Sequence, residues 1–181
     1  MQATTAAAPH VARRICLLGG ESTGKTSLAE ALAQVLDEPW VPEYGRELWE
    51  ARGGSLEFEE LLHIARVQVA REEQAERLAR QYLVCDTSPL TTLFYSLELF
   101  GRADPRLEAL ARRPYDLVVL CGEDFAFVQD GWRRDPDFRH RGQSWYQERL
   151  AEYGMSWFEV HGPLADRVRR MRELLLMKGL R

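Results

Sequence analysis

The stretch Gly19-Gly20-Glu21-Ser22-Thr23-Gly24-Lys25-Thr26 has the residue types and spacing to hold the phosphates of a nucleotide. It fits G-x-x-x-x-G-K-[ST], the Walker A loop: backbone N–H groups wrap the phosphates, the lysine reaches the β- and γ-phosphates and the hydroxyl binds Mg²⁺. The ATP-binding candidates are therefore Gly20, Glu21, Ser22, Thr23, Gly24, Lys25, Thr26 and Ser27, with Lys25 also catalytic and Thr26 a metal ligand. Read without chemistry, the same residues are a Gly-rich turn capping a helix.

Phosphoryl transfer also needs carboxylates, and two stand where they can serve. The apolar run Tyr82-Leu83-Val84-Cys85 ends in Asp86, placing an acid of Walker B type where it can hold Mg²⁺ or accept a hydroxyl proton. Its structural alternative is the N-cap of the helix that Pro89 opens. Glu43 leads the patch Glu43-Tyr44-Gly45-Arg46-Glu47 and is the second candidate base. In that patch a carboxylate can take a hydroxyl proton and an aromatic ring can stack on a base, so Glu43, Tyr44 and Arg46 read as the acceptor side; the alternative is a helix start beside a core tyrosine. The sequence does not decide between Asp86 and Glu43. Gln68, near the apolar face of a long helix, is either a hydrogen-bonded interior amide or a side chain reaching the acceptor.

A third group lies between Gln129 and Arg141, dense in arginine and turn formers. Guanidinium groups grip phosphate bidentately, so Arg133 and Arg134, with Arg139 and Arg141, read as an Arg-rich lid hinged near Gly131. Arg133 is taken as catalytic and Asp130 is placed with the acceptor-binding residues. The other reading is a solvated charged loop. The tryptophans Trp40, Trp49 and Trp132 could stack on a base, though isolated tryptophans more often anchor a core. No metal is assigned to the four histidines, whose positions share no ligand spacing, and the three cysteines read as buried thiols.

These residues need strands and helices in alternation to converge. Strands are expected at 13–18, 40–42, 82–85, 116–121 and 157–161, and helices at 27–36, 56–81, 90–100, 105–112, 143–153 and 163–177. The long helix should bury Leu61, Ile64, Ala65, Val69, Ala75 and Leu78 and expose Arg66, Arg71, Glu72, Glu73, Glu76 and Arg80. Five strands separated by helices give an α/β fold, a three-layer α/β/α sandwich on a five-stranded parallel sheet. A chain of 181 residues with 45% hydrophobic content suits one domain, read as 13–181 behind a loose tail at 1–12. A net charge of −4 speaks against general binding to nucleic acid or anionic membrane, and no apolar run reaches membrane-spanning length. The partners expected are small molecules, ATP and a nucleoside-like acceptor, in the cytoplasm; the oligomeric state is left open.

In series, Gly19 to Thr26, Glu43-Tyr44-Gly45-Arg46-Glu47, Asp86-Thr87-Ser88-Pro89-Leu90-Thr91-Thr92 and Val128-Gln129-Asp130-Gly131-Trp132-Arg133 resemble the ribosylnicotinamide kinase domain at the C-terminus of the bacterial regulator NadR. The likeness runs from Arg13 onward. It departs at Ser88, where the family often has an acidic residue. The resemblance implies a nucleoside-monophosphate-kinase-like P-loop fold and, with ATP and Mg²⁺, transfer of a phosphoryl group to the 5′-hydroxyl of nicotinamide riboside. With about a dozen residues before the first strand, neither the DNA-binding nor the adenylyltransferase function of the full regulator is expected. Two rivals stay open: a kinase for another nucleoside or vitamin-like alcohol, and an ATP switch that transfers nothing.

Overall fold

The computed structural model describes residues 12–124, 126 and 136–179. Its sheet is built from β1 (Arg13–Leu18), β2 (Trp40–Val41), β3 (Tyr82–Asp86), β4 (Leu117–Cys121) and β5 (Trp157–Val160), all parallel in the order β2-β3-β1-β4-β5. Seven helices among the described residues connect them: α1 (Lys25–Leu36), α2 (Tyr44–Ala51), α3 (Phe58–Glu76), α4 (Pro89–Phe100), α5 (Pro105–Ala111), α6 (Pro136–Glu152) and α7 (Leu164–Met177).

Alternation along β1 assigns the layers, because successive side chains of a strand point to opposite faces. Ile15 and Leu17 join Leu28, Leu32, Met171 and Leu174, so α1 and α7 cover one face. Cys16 and Leu18 join Leu61, Leu90, Leu107 and Leu150, so α3 to α6 cover the other. The result is the expected P-loop three-layer α/β/α sandwich. All three cysteines are buried and free, and no helix among the described residues is long and apolar enough to cross a membrane.

Five expectations need correction. The patch after β2 winds into a helix, α2, the helix start that the sequence offered only as the alternative reading. The long helix starts at Phe58 rather than at 56, under a capping box made by Glu57 and Glu60. It stops at Glu76, and Leu78 is 76% exposed, not buried. Its early end follows from Glu38, whose carboxylate takes the N–H groups of Arg80 and Gln81 at 2.9 and 2.8 Å. Glu72 is buried rather than exposed: both its oxygens accept from the Tyr115 hydroxyl, at 3.1 and 3.0 Å, and Arg113 lies 3.4 Å away. Burial pushes its carboxyl from 4.5 to about 7, against the opposing pull of Tyr115 and Arg113. Finally, α6 begins at Pro136 rather than Gln143, because Phe138 is anchored against Phe94 and Tyr95 with ring centroids 5.3 and 5.7 Å apart.

Candidate active site

The loop between β1 and α1 has the conformation that phosphate binding requires. Gly24, at the N-cap of α1, sits at φ 78°, a left-handed geometry that costs glycine nothing, so the first N–H groups of α1 face the loop's hollow. Gly20 is a glycine for a second reason, since a Cβ there would lie 2.6 Å from the Arg139 carbonyl oxygen of α6. Lys25 folds over the loop, its Nζ donating to the carbonyls of Gly19 and Gly20 at 2.8 and 2.9 Å. The Thr23 hydroxyl donates to the Gly20 carbonyl at 2.8 Å.

Pairing of β1 with β3 sets Leu17 opposite Asp86, which delivers the carboxylate to the mouth of the loop. The Thr26 hydroxyl donates to Asp86 Oδ2 at 2.6 Å, while the buried Oδ1 has no hydrogen-bond partner. Burial raises the Asp86 carboxyl, with Lys25 and Thr26 pulling it back down. A hydroxyl beside a carboxylate with an unused, buried oxygen suits a hard cation such as Mg²⁺, which keeps water and phosphate oxygens as its remaining ligands. No group of three His, Cys, Asp or Glu that could hold a metal exists among the described residues. The alternative role for Asp86 is filled by another residue: Ser88 caps α4, accepting from the Leu90 N–H at 3.2 Å. Between them Thr87 takes φ 84°, strained for a β-branched residue, and turns the chain sharply after Asp86.

A cavity of about 320 Å³ opens from the loop. Its lining joins Gly19 to Ser27 with Glu43, Arg46, Trp49 and Glu50 on α2 and its N-terminus, Leu61 and Ile64 on α3, Thr91, Thr92, Phe94, Tyr95 and Leu99 on α4, and Phe138 and Tyr146 on α6. Glu43 stands at the N-cap position of α2 but makes no capping bond, which leaves its carboxylate to the cavity. Burial lifts that carboxyl from 4.5 to about 7, opposed by Lys25 and reinforced by Asp86.

The structure therefore brings Gly20 to Ser27, Glu43 and Arg46 together around one volume, with Asp86 hydrogen-bonded to Thr26 at its edge. Two expected acceptor residues do not line it. Tyr44 turns to the outer side, its ring beneath Arg71 (4.6 Å) and its hydroxyl 3.3 Å from His63 Nε2. Gln68 is an interior amide, 2% exposed, accepting the Tyr44 N–H at 3.0 Å, so its part is to fix the start of α2. Arg139 and Arg141 pair with Glu123 (3.6 Å) and Glu98 (3.4 Å). Asp130, Trp132, Arg133 and Arg134 lie outside the described residues. Trp49 lines the cavity and Trp40 packs on the core beneath α1.

Two residues that sequence reading missed brace the loop. Gln143 of α6 accepts the Gly20 N–H at 3.3 Å and donates to the Cys121 carbonyl at 3.1 Å. Arg167 of α7, 1% exposed, donates to the carbonyls of Thr23 (2.6 Å), Gly122 (3.2 Å) and Gly162 (2.9 Å) and to Asp124 (2.8 Å). Within the sequence Arg167 is one of several arginines in a charged helix, and no local pattern separates it from its solvated neighbours.

The sequence profile of the AAA domain family matches residues 14–167. The chain is 31% identical over 130 residues, 69% of its length and 32% of the relative's, to the trifunctional NAD biosynthesis/regulator protein NadR of Escherichia coli (strain K12). It thus spans about a third of the length of the curated relatives it matches. Its fold is similar to that of NadR solved with NR (TM-score 0.73, 20% identity, 93% of this chain and 51% of that one). NadR solved with NAD and AMP-PNP gives TM-score 0.71 at 19% identity, over 93% of this chain and 50% of that one. A deoxyadenosine kinase from M. mycoides, solved with dCMP and dCDP, gives 0.65 at 11% identity, over 91% and 99%.

Proposed function

We propose, from the premise that this chain belongs to the AAA domain family and has the P-loop kinase fold of NadR, that it is an ATP-dependent small-molecule kinase acting on nicotinamide riboside. The γ-phosphoryl group of ATP passes to the 5′-hydroxyl and gives nicotinamide mononucleotide, a step of NAD salvage in the cytoplasm. The observation that carries this reading is the single cavity with the phosphate loop on one side and Glu43 with an aromatic wall on the other. A switch that transfers nothing has no use for that second side.

In this mechanism the loop's N–H groups and the N-terminus of α1 hold the β- and γ-phosphates, and Lys25 leaves the Gly19 and Gly20 carbonyls to bind them. Thr26 and Asp86 are the residues that would hold Mg²⁺, which when bound would supply positive charge beside the phosphates. Glu43 accepts the proton of the acceptor hydroxyl. That division of labour follows from contacts: Asp86 is engaged by Thr26, whereas the Glu43 carboxylate makes no capping bond and faces the cavity with a carboxyl near neutrality. Arg46 lies on the acceptor side, and Arg133 and Arg134 remain the sequence's candidates for further phosphate contacts. The relatives add support, since NadR has been solved with NR in one complex and with NAD and AMP-PNP in another.

The test is ADP formation with Mg-ATP alone and with a panel of nucleosides and vitamin-like alcohols. Nicotinamide riboside should give the largest stimulation and a phosphorylated product. ADP release that no acceptor stimulates would establish the switch instead, and stimulation by a different alcohol would reassign the acceptor.

A further inference from the structure

One residue of the donor loop faces the acceptor. Apart from its lysine and hydroxyl, a phosphate loop acts through backbone N–H groups, and a carboxylate aimed at the phosphates would repel them. The side chain of Glu21 is turned away: its Oε1 accepts from the Tyr95 hydroxyl of α4 at 3.0 Å. Tyr95 belongs to the aromatic wall of the cavity, with ring centroids 5.8 Å from Phe94 and 5.7 Å from Phe138. Glu21 and Glu43 act on the same groups from two sides, both helping to push the Tyr95 and Tyr146 hydroxyls up, and Glu21 also raises Glu43. The carboxylates therefore bound the volume that an acceptor ring would fill. Among the described lining residues the acids are Glu21, Glu43 and Glu50 and the cations Lys25 and Arg46. Arg46 is paired with Glu50 at 2.9 Å, and Lys25 is committed to the phosphate loop.

Resting on the kinase reading above, we propose that Glu21 is a specificity-determining residue for acceptor charge: held by Tyr95 at the aromatic wall, it admits acceptors with a neutral or cationic ring and rejects those carrying an anionic group on it. The P-loop thereby serves both substrates, its backbone the donor and this side chain the acceptor.

The experiment compares acceptors matched except for one carboxylate, nicotinamide riboside against nicotinic acid riboside and uridine against orotidine, in wild type, E21Q, E21D and Y95F. Wild type should favour the uncarboxylated member of each pair. One charge removed across a few ångströms of partly shielded cavity corresponds to about a 10- to 100-fold narrowing of that preference in E21Q. The narrowing should appear in KM for the anionic acceptor. E21D should keep the preference, and Y95F, which removes the Tyr95 hydroxyl and leaves the Glu21 charge in place, should weaken it less than E21Q does. Equilibrium binding of each pair, read by quenching of tryptophan fluorescence with Trp49 in the cavity wall, measures the same ratio without turnover. If no acceptor is phosphorylated, the kinase reading fails while binding still decides the charge rule. An unchanged ratio in E21Q, or an equal loss for both members of each pair, would overturn the assignment of Glu21.

Discussion

Replacing Glu43 by glutamine separates the two carboxylates that the sequence leaves equivalent. The wild-type carboxyl, raised from 4.5 to about 7 by burial and only partly restrained by Lys25, must lose its proton before it can accept one. About one tenth of it is ionised at pH 6 and about nine tenths at pH 8, so kcat/KM for the acceptor should climb about tenfold across that interval. E43Q keeps the size and a polar tip but has no basic oxygen. Its kcat should fall about 10²- to 10⁴-fold at pH 8, the usual contribution of a positioned base, and the rise between pH 6 and 8 should vanish. Glu43 makes no capping bond in α2, so the variant should melt at or above the wild-type temperature at pH 8, where the ionised side chain is least at ease. The assay is coupled ADP release from pH 5.5 to 9 with saturating Mg-ATP, beside thermal melts. An E43Q enzyme that retains both its turnover and the pH step would refute the reasoning and return the base to Asp86.

Three other outcomes are expected. Lys25→Ala should abolish phosphoryl transfer while leaving the circular dichroism spectrum and melting curve close to wild type, since Nζ bonds only to loop carbonyls; turnover within tenfold of wild type would remove the loop lysine from the mechanism. Glu72, raised to about 7 where the unfolded chain titrates near 4.5, stabilises the fold fully below pH 4.5 and loses that contribution as pH rises through 7, a swing of about 3 kcal/mol at most. E72Q should flatten the fall in melting temperature between pH 5.5 and 8, and an undiminished fall would place the titration elsewhere. Arg167→Met strips three carbonyls and Asp124 of a buried donor, costing about 2–5 kcal/mol. In R167K, the milder change, KM for ATP should rise at least threefold more than KM for the acceptor; parallel changes would make Arg167 a fold residue only.

What was legible in the sequence was what depends on neighbours along the chain. The glycine-lysine spacing of 19–26 reports a local turn, and the apolar runs at 15–18, 82–85 and 117–121 report strands buried on both faces, so the sheet and its loop could be read directly. The place of Asp86 beside the loop followed from a carboxylate closing such a run. Side-chain direction was not legible. Tyr44 and Glu43 are adjacent, yet one faces His63 and Arg71 and the other the cavity, because the first turn of α2 rotates successive residues by about 100°. Glu72 looked like one more charge on a charged helix, and only the fold brings Tyr115, 43 residues away, over it. Gln143 and Arg167 brace the loop from 123 and 144 residues downstream, distances at which no spacing rule operates. Glu21 was read only as part of the phosphate loop, and its carboxylate accepts from Tyr95, 74 residues away.

The sheet order has a consequence for how the molecule assembles. β1 carries the phosphate loop and β2 leads to Glu43, but the two strands do not touch; β3 lies between them, pairing Leu17 with Asp86 on one side and Val41 with Cys85 on the other. Donor and acceptor halves are thus separate fragments until a strand made more than 40 residues later slides in as their common spine. Insertion of β3 closes long loops and belongs to the slow, non-local part of folding. A chain that has not completed it holds neither Asp86 beside Thr26 nor Glu43 across from the loop. Bound substrates, by gripping both flanks, should slow amide exchange most along Val84 to Asp86, where the two halves are sewn together.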